Sequence, residues 1–123
     1  IVAAAINRLD TDLVVLALAG RSRLWAGQYS WADKRGWEPE GDPVLTQWDD
    51  LLGRVQVPVA FAGEIDAAAA KLIRRTNRSA HIVTPAGSVR RAAVLAEIGF
   101  ARWKKQQVTD ADALAPTYLR EPG

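Results

Sequence analysis

The residues best placed for chemistry are Glu64 and Asp66. They follow the apolar run "VPVAFAG" at 57–63 and precede an alanine-rich stretch, so they stand at the mouth of a strand-to-helix loop. α/β proteins place ligands at such mouths, outside the carboxyl ends of the strands. Two carboxylates there make a candidate pocket edge. Asp66 is also spaced to cap the helix that follows, which is the plainer use of an aspartate at that point.

Other acidic pairs point to structure. Asp49 and Asp50 are adjacent on a helical pattern, so they diverge, and they suit the negative first turn of a helix. Asp10 and Asp12 flank a helix end and a strand start, where a cap or turn explains them. His81 is the sole histidine, and no carboxylate lies near it at helix or strand spacing. The chain has no cysteine, which excludes disulfides, thiolate metal sites and cysteine nucleophiles. No G-x-S-x-G elbow is present to pair a serine with His81. "GRSR" and "TPAGS" carry single glycines and lack the spacing that lets backbone amides cradle phosphate. "PAGSV", ahead of the last helical pattern, is only a weak signal for an anion at a helix N-terminus, since the same residues make an ordinary N-cap. The expectation is no catalytic residue, no metal ligand and no cofactor.

The elements that must position these residues follow from periodicity. Residues 1–9 read as the end of a helix, and residues 13–19 ("LVVLALA") as a buried strand. Residues 24–31 alternate, with Trp25, Gly27, Tyr29 and Trp31 on one side; with the "GRSR" turn between them, the two runs predict an antiparallel hairpin. "WEPEGDPVL" predicts a third, irregular strand with proline at its edge. Thr46 then reads as the N-cap of a helix placing Trp48, Leu51, Leu52 and Val55 on one face. Residues 57–63 predict a buried strand, Asp66 the cap of a helix ending at Asn77, and residues 80–85 a short strand halted by proline. Ser88 is read as opening the longest helix, with Val89, Ala92, Ala93, Ala96, Phe100 and Trp103 along one face. A hairpin followed by β-α-β alternation predicts an α/β fold, a mixed sheet with helices on its faces.

Composition is that of one ordinary domain, 49% apolar and 24% charged over 123 residues. No apolar run reaches the roughly 20 residues that span a bilayer, and no signal peptide opens the chain, so the cytoplasm is the expected compartment. The absence of methionine, even at the first position, predicts a piece of a longer protein. Charge is uneven: residues 1–64 carry 6 basic and 9 acidic side chains, residues 65–123 carry 10 and 5. The basic half, with Arg74, Arg75, Arg78, Arg90 and Arg91, suits either an anionic partner such as RNA or a solvated helix surface. The 5 tryptophans suit a core, a partner surface or base stacking.

The hairpin "VVLALAGRSRLWAGQY", the step "GDPVLTQWDDLL", the strand "VPVAFAG" and a long helix closing on "ADALAPTYLREP" together resemble the C-terminal half of the TsaB (YeaZ) family. The most specific piece is the tail signature Pro116, Tyr118, Leu119 and Arg120. The chain departs from the family at Ala19, where members carry an aspartate, while Arg21 is retained in a shorter turn. The resemblance implies one lobe of an actin-like ATPase (ribonuclease H-like) fold. Residues 1–123 would be the C-terminal lobe of a two-lobed protein, residues 1–12 a remnant of the inter-lobe helix, and the N-terminal lobe would be absent.

It further implies a non-catalytic, cytoplasmic subunit of tRNA processing. Such a subunit supports a TsaD-like catalytic paralogue, with a TsaE-like ATPase, in forming threonylcarbamoyladenosine at position 37 of tRNA. Its contacts are made mainly through the missing lobe, tRNA is met only indirectly, no membrane is involved, and a homodimer is possible. The tail would pack Tyr118 and Leu119 back on the domain. The older glycoprotease-like label has no support in a chain with one histidine. A lobe of an actin-like-fold kinase or ATPase and a basic RNA-binding module stand as the alternatives.

Overall fold

The sheet is built from the apolar runs. The computed structural model describes residues 1–56 and 58–114. β1 (Asp12–Gly20) and β2 (Arg23–Ala32) form the expected antiparallel hairpin, in register from Leu13↔Tyr29 to Leu18↔Leu24, with a one-residue shift before the last pair, Gly20↔Arg23. Its turn residues Arg21 and Ser22 both have positive φ, 51° and 61°. That backbone twist matches a two-residue hairpin but is normally supplied by Asn-Gly.

The third strand is divided. β3 (Gly36–Pro39) pairs with the far half of β2 and β4 (Val44–Gln47) with the near half, both antiparallel. Between them Gly41 sits at φ 109°, and Pro39 and Pro43 lack N–H donors for the ladder. β5 (Val59–Gly63) runs parallel to β1, and β6 (His81–Ile82) parallel to β5. Among the described residues the sheet order is β3-β2-β1-β5-β6, with β4 also on β2. This is the mixed α/β sheet expected from the hairpin and the β-α-β alternation. Val57, the first residue of the strand expected over 57–63, lies outside the described residues.

Strand alternation sorts side chains onto two faces. On one, Val14, Leu16, Val59 and Phe61 pack with Leu51 of α1 (Trp48–Arg54) and Ile73 of α2 (Ala67–Thr76). Trp48, Leu52 and Val55 join this cluster, as their helical spacing predicts. On the other face Leu13, Ala60 and Ala62 pack with Val2 and Ala3. Residues 1–9 give no α-helix there, only a 3-10 turn over Ala3–Ala5. The Trp37 indole N–H holds this segment through the Ile6 carbonyl at 3.0 Å. Of the hairpin's aromatic side, Tyr29 joins the second cluster, and Trp31 meets Trp37 edge to face with centroids 5.3 Å apart.

Two expected caps fall elsewhere. Thr46 does not cap α1. It lies in β4 opposite Leu24, is 8% exposed, and its hydroxyl accepts from the Arg54 guanidinium at 2.9 Å. Gln47 occupies the N-cap position without a side-chain bond. Ser88 does not open the last helix; α3 begins four residues later (Ala92–Lys104), and Val89 precedes it. The described residues fall into two compact units that divide between Arg91 and Ala92. Within the second, Phe100 stacks on Trp103 at 5.8 Å, and the Lys104 ammonium lies 5.6 Å from the Phe100 centroid. No helix among the described residues is long and apolar enough to cross a membrane.

Candidate functional site

The carboxyl ends of β1, β5 and β6 form the end of the sheet where Glu64 and Asp66 stand. The parallel ladder stops at Leu16↔Gly63. There the chain turns away, and Gly63 adopts φ 105°. A Cβ at this position would run into the Leu16 backbone carbonyl, so both the conformation and the space require glycine. The Glu64 N–H still donates to the Leu16 carbonyl at 3.0 Å.

Glu64 uses both carboxylate oxygens. Oε2 accepts from the Leu18 N–H at 2.6 Å, and Oε1 accepts from the Arg90 guanidinium at 2.9 Å. Leu18 lies two residues past the last parallel pair, where β5 presents no further carbonyl. The carboxylate stands in for that missing acceptor and extends the edge pairing of β1. Charged acceptors make the stronger class of hydrogen bond. Asp66 is the N-cap of α2: its Oδ1 accepts from the Ala69 N–H at 2.7 Å. The two acids are therefore brought to one strand end but hold two different backbones, and they do not form a carboxylate dyad.

Beside them lies a cleft of about 720 Å³ within the first unit. Leu18, Ile65, Ile82 and Pro85 supply apolar surface, and Arg74 and Thr84 polar groups. Leu18 is 61% exposed at its edge. Gly87 and Ser88 close a tight 3-10 turn (Pro85–Ser88) capped by Thr84, whose Oγ1 accepts from the Gly87 N–H at 3.3 Å. "PAGSV" thus forms a short turn of its own, capped by Thr84, and does not open a long helix toward an anion.

The remaining candidates are dispersed. His81 is exposed on β6 opposite Ala60. Among the described residues no three His, Asp or Glu side chains stand close enough to hold a metal ion. Asp49 and Asp50 lie in the first turn of α1 and are exposed. Arg74 and Arg75 sit in the last turn of α2, the favourable pole for cations. Arg90 is committed to Glu64, and Arg91 donates to the Ala86 carbonyl at 3.2 Å. Arg74 lines the same cleft as Glu64, the residue that Arg90 pairs with. The tail signature Pro116, Tyr118, Leu119 and Arg120 lies outside the described residues.

Sequence reasoning missed the ties of Glu64 to Leu18 and Arg90, 46 and 26 residues away. The one signal available was the glycine ahead of it, which marks a close backbone approach. No family model matches the chain, and no match was found among the curated proteins.

Proposed function

We propose that this chain is the C-terminal lobe of a TsaB-like protein, of the actin-like ATPase (ribonuclease H-like) type. In this reading it acts as a non-catalytic scaffold within the complex that forms threonylcarbamoyladenosine in tRNA. Its partners are a TsaD-like catalytic paralogue and a TsaE-like ATPase. The observation that carries the reading is the sheet: a hairpin with a third antiparallel strand, continued by two parallel strands through a helix-bearing crossover. That is the mixed sheet the family resemblance implies, and the tail "PTYLR" adds the family's most specific sequence feature. The use of Glu64 and Asp66 to hold backbone amides supports a structural role for the acids at the strand end.

The test is association. The full encoded protein and the TsaD-like paralogue from the same genome are mixed and followed by sedimentation velocity. The expected result is a stable heteromer that forms without ATP or tRNA. Two proteins sedimenting independently at tens of micromolar overturn the reading. So does metal-dependent peptidase activity of the purified chain that is lost in His81→Ala.

A further inference from the structure

We infer that residues 83–91 form a strap across the end of β5, held by three successive anchors of decreasing strength, and that the outermost, Arg90 on Glu64, is a salt-sensitive latch on one wall of the cleft. The anchors run in step along both segments. The Val83 N–H donates to the Phe61 carbonyl at 2.8 Å, continuing the β6 ladder. The Ser88 hydroxyl accepts from the Gly63 N–H at 3.1 Å. Arg90 then reaches Glu64 Oε1 at 2.9 Å. Thr84, Pro85 and Ser88 of the strap line the cleft together with Ala67, Ala70 and Arg74 of α2, so the strap's position bears on the cleft's width.

The anchors differ in kind. Val83 bonds a carbonyl of Phe61, a residue fully buried in the core. Arg90 and Glu64 side chains are 63% and 44% exposed, so their attraction is screened by salt and is weak. Glu64 nevertheless stays in place without Arg90, because its other oxygen is held by the Leu18 N–H. The carboxylate is thus a fixed post and the arginine a movable hook. Beyond Arg91 the chain passes into the second unit, so the strap can loosen without breaking the sheet.

Amide hydrogen exchange of the full encoded protein, resolved by NMR, tests this. Arg90→Ala is expected to speed exchange at Gly87 and Ser88 about 2–5-fold, the scale of an exposed ion pair, and to leave the Leu18 amide unchanged. Raising NaCl to about 0.5 M should do the same to the wild type and nothing to the Arg90→Ala variant. Glu64→Gln should speed the strap as well, and the Leu18 amide by about 10-fold or more, since that amide loses a charged acceptor. The charge swap Glu64→Arg with Arg90→Glu should restore the strap and not Leu18. Strap exchange that ignores both single variants and salt overturns the inference. So does a rise at Gly87 and Ser88 matched by an equal rise at Val14 and Phe61, since that reports global destabilisation. Neither outcome bears on partner association, which is read separately by sedimentation.

Discussion

α2 and α3 are both alanine-rich and both carry basic residues in the last turn, yet they place their apolar side chains differently. In α2 the apolar side chains recur on one side, and Ala69 and Ile73 go into the sheet, Ile73 at 0% exposure. In α3 they are spread around the helix: Leu95, Phe100 and Trp103 are 53%, 59% and 63% exposed, and none of its residues is buried. Their starts differ as well. α2 has a capping aspartate, whereas the serine ahead of α3 is spent on the Gly63 amide. Propensity favours both helices; α2 adds directional burial and a side-chain cap.

The largest contrast is at the buried positions. Ile73→Ala should cost about 2–5 kcal/mol of unfolding free energy in urea, and Leu95→Ala less than about 0.5 kcal/mol. Equal costs would mean α3 is held as firmly as α2. Next comes the approach to α2. Gly63→Ala should cost about 1–3 kcal/mol from the left-handed backbone alone, with the clash at Leu16 adding to it. A variant as stable as wild type would contradict the tight strand end.

Caps separate the helices more finely. Asp66→Ala should cost about 1 kcal/mol and speed exchange at the first amides of α2. Ser88→Ala should leave the first amides of α3 unaffected and raise exchange at the Gly63 amide, at about 0.5–1.5 kcal/mol. The smallest effect is at the other end of α3. Gln106 closes that helix at φ 57°, so Gln106→Gly should slow exchange at Gln106 and Gln107 by the equivalent of about 0.5 kcal/mol.

How much of this was legible depended on the range of the interaction. The hairpin, the 59–63 strand, the Asp66 cap and the apolar face of α1 are written in neighbouring residues, and periodicity finds them. Thr46 was misread because its local pattern matches a cap, while pairing with Leu24 kept it in β4. Ser88 was misread for a like reason: its hydroxyl is taken by an amide 25 residues away. The irregular third strand was foreseen, but not that it would split around Gly41 to serve both halves of β2. At the candidate site, the position of Glu64 and Asp66 was readable from strand-then-helix order. That Glu64 would be consumed by Leu18 and Arg90 was not, since spacing carries no record of contacts across a sheet.

In the proposed function the chain acts by contact and does no bond-making of its own. The most direct measurement is the yield of threonylcarbamoyladenosine in tRNA, in a mixture of the TsaD-like and TsaE-like proteins from the same genome with ATP and the activated threonylcarbamoyl donor. The expected result is that modification requires the full encoded protein. The yield is also expected to survive Glu64→Gln and His81→Ala, since the proposed function gives neither residue a part in the chemistry. Modification that proceeds equally without the protein, or that is abolished by either substitution in a folded variant, would contradict it.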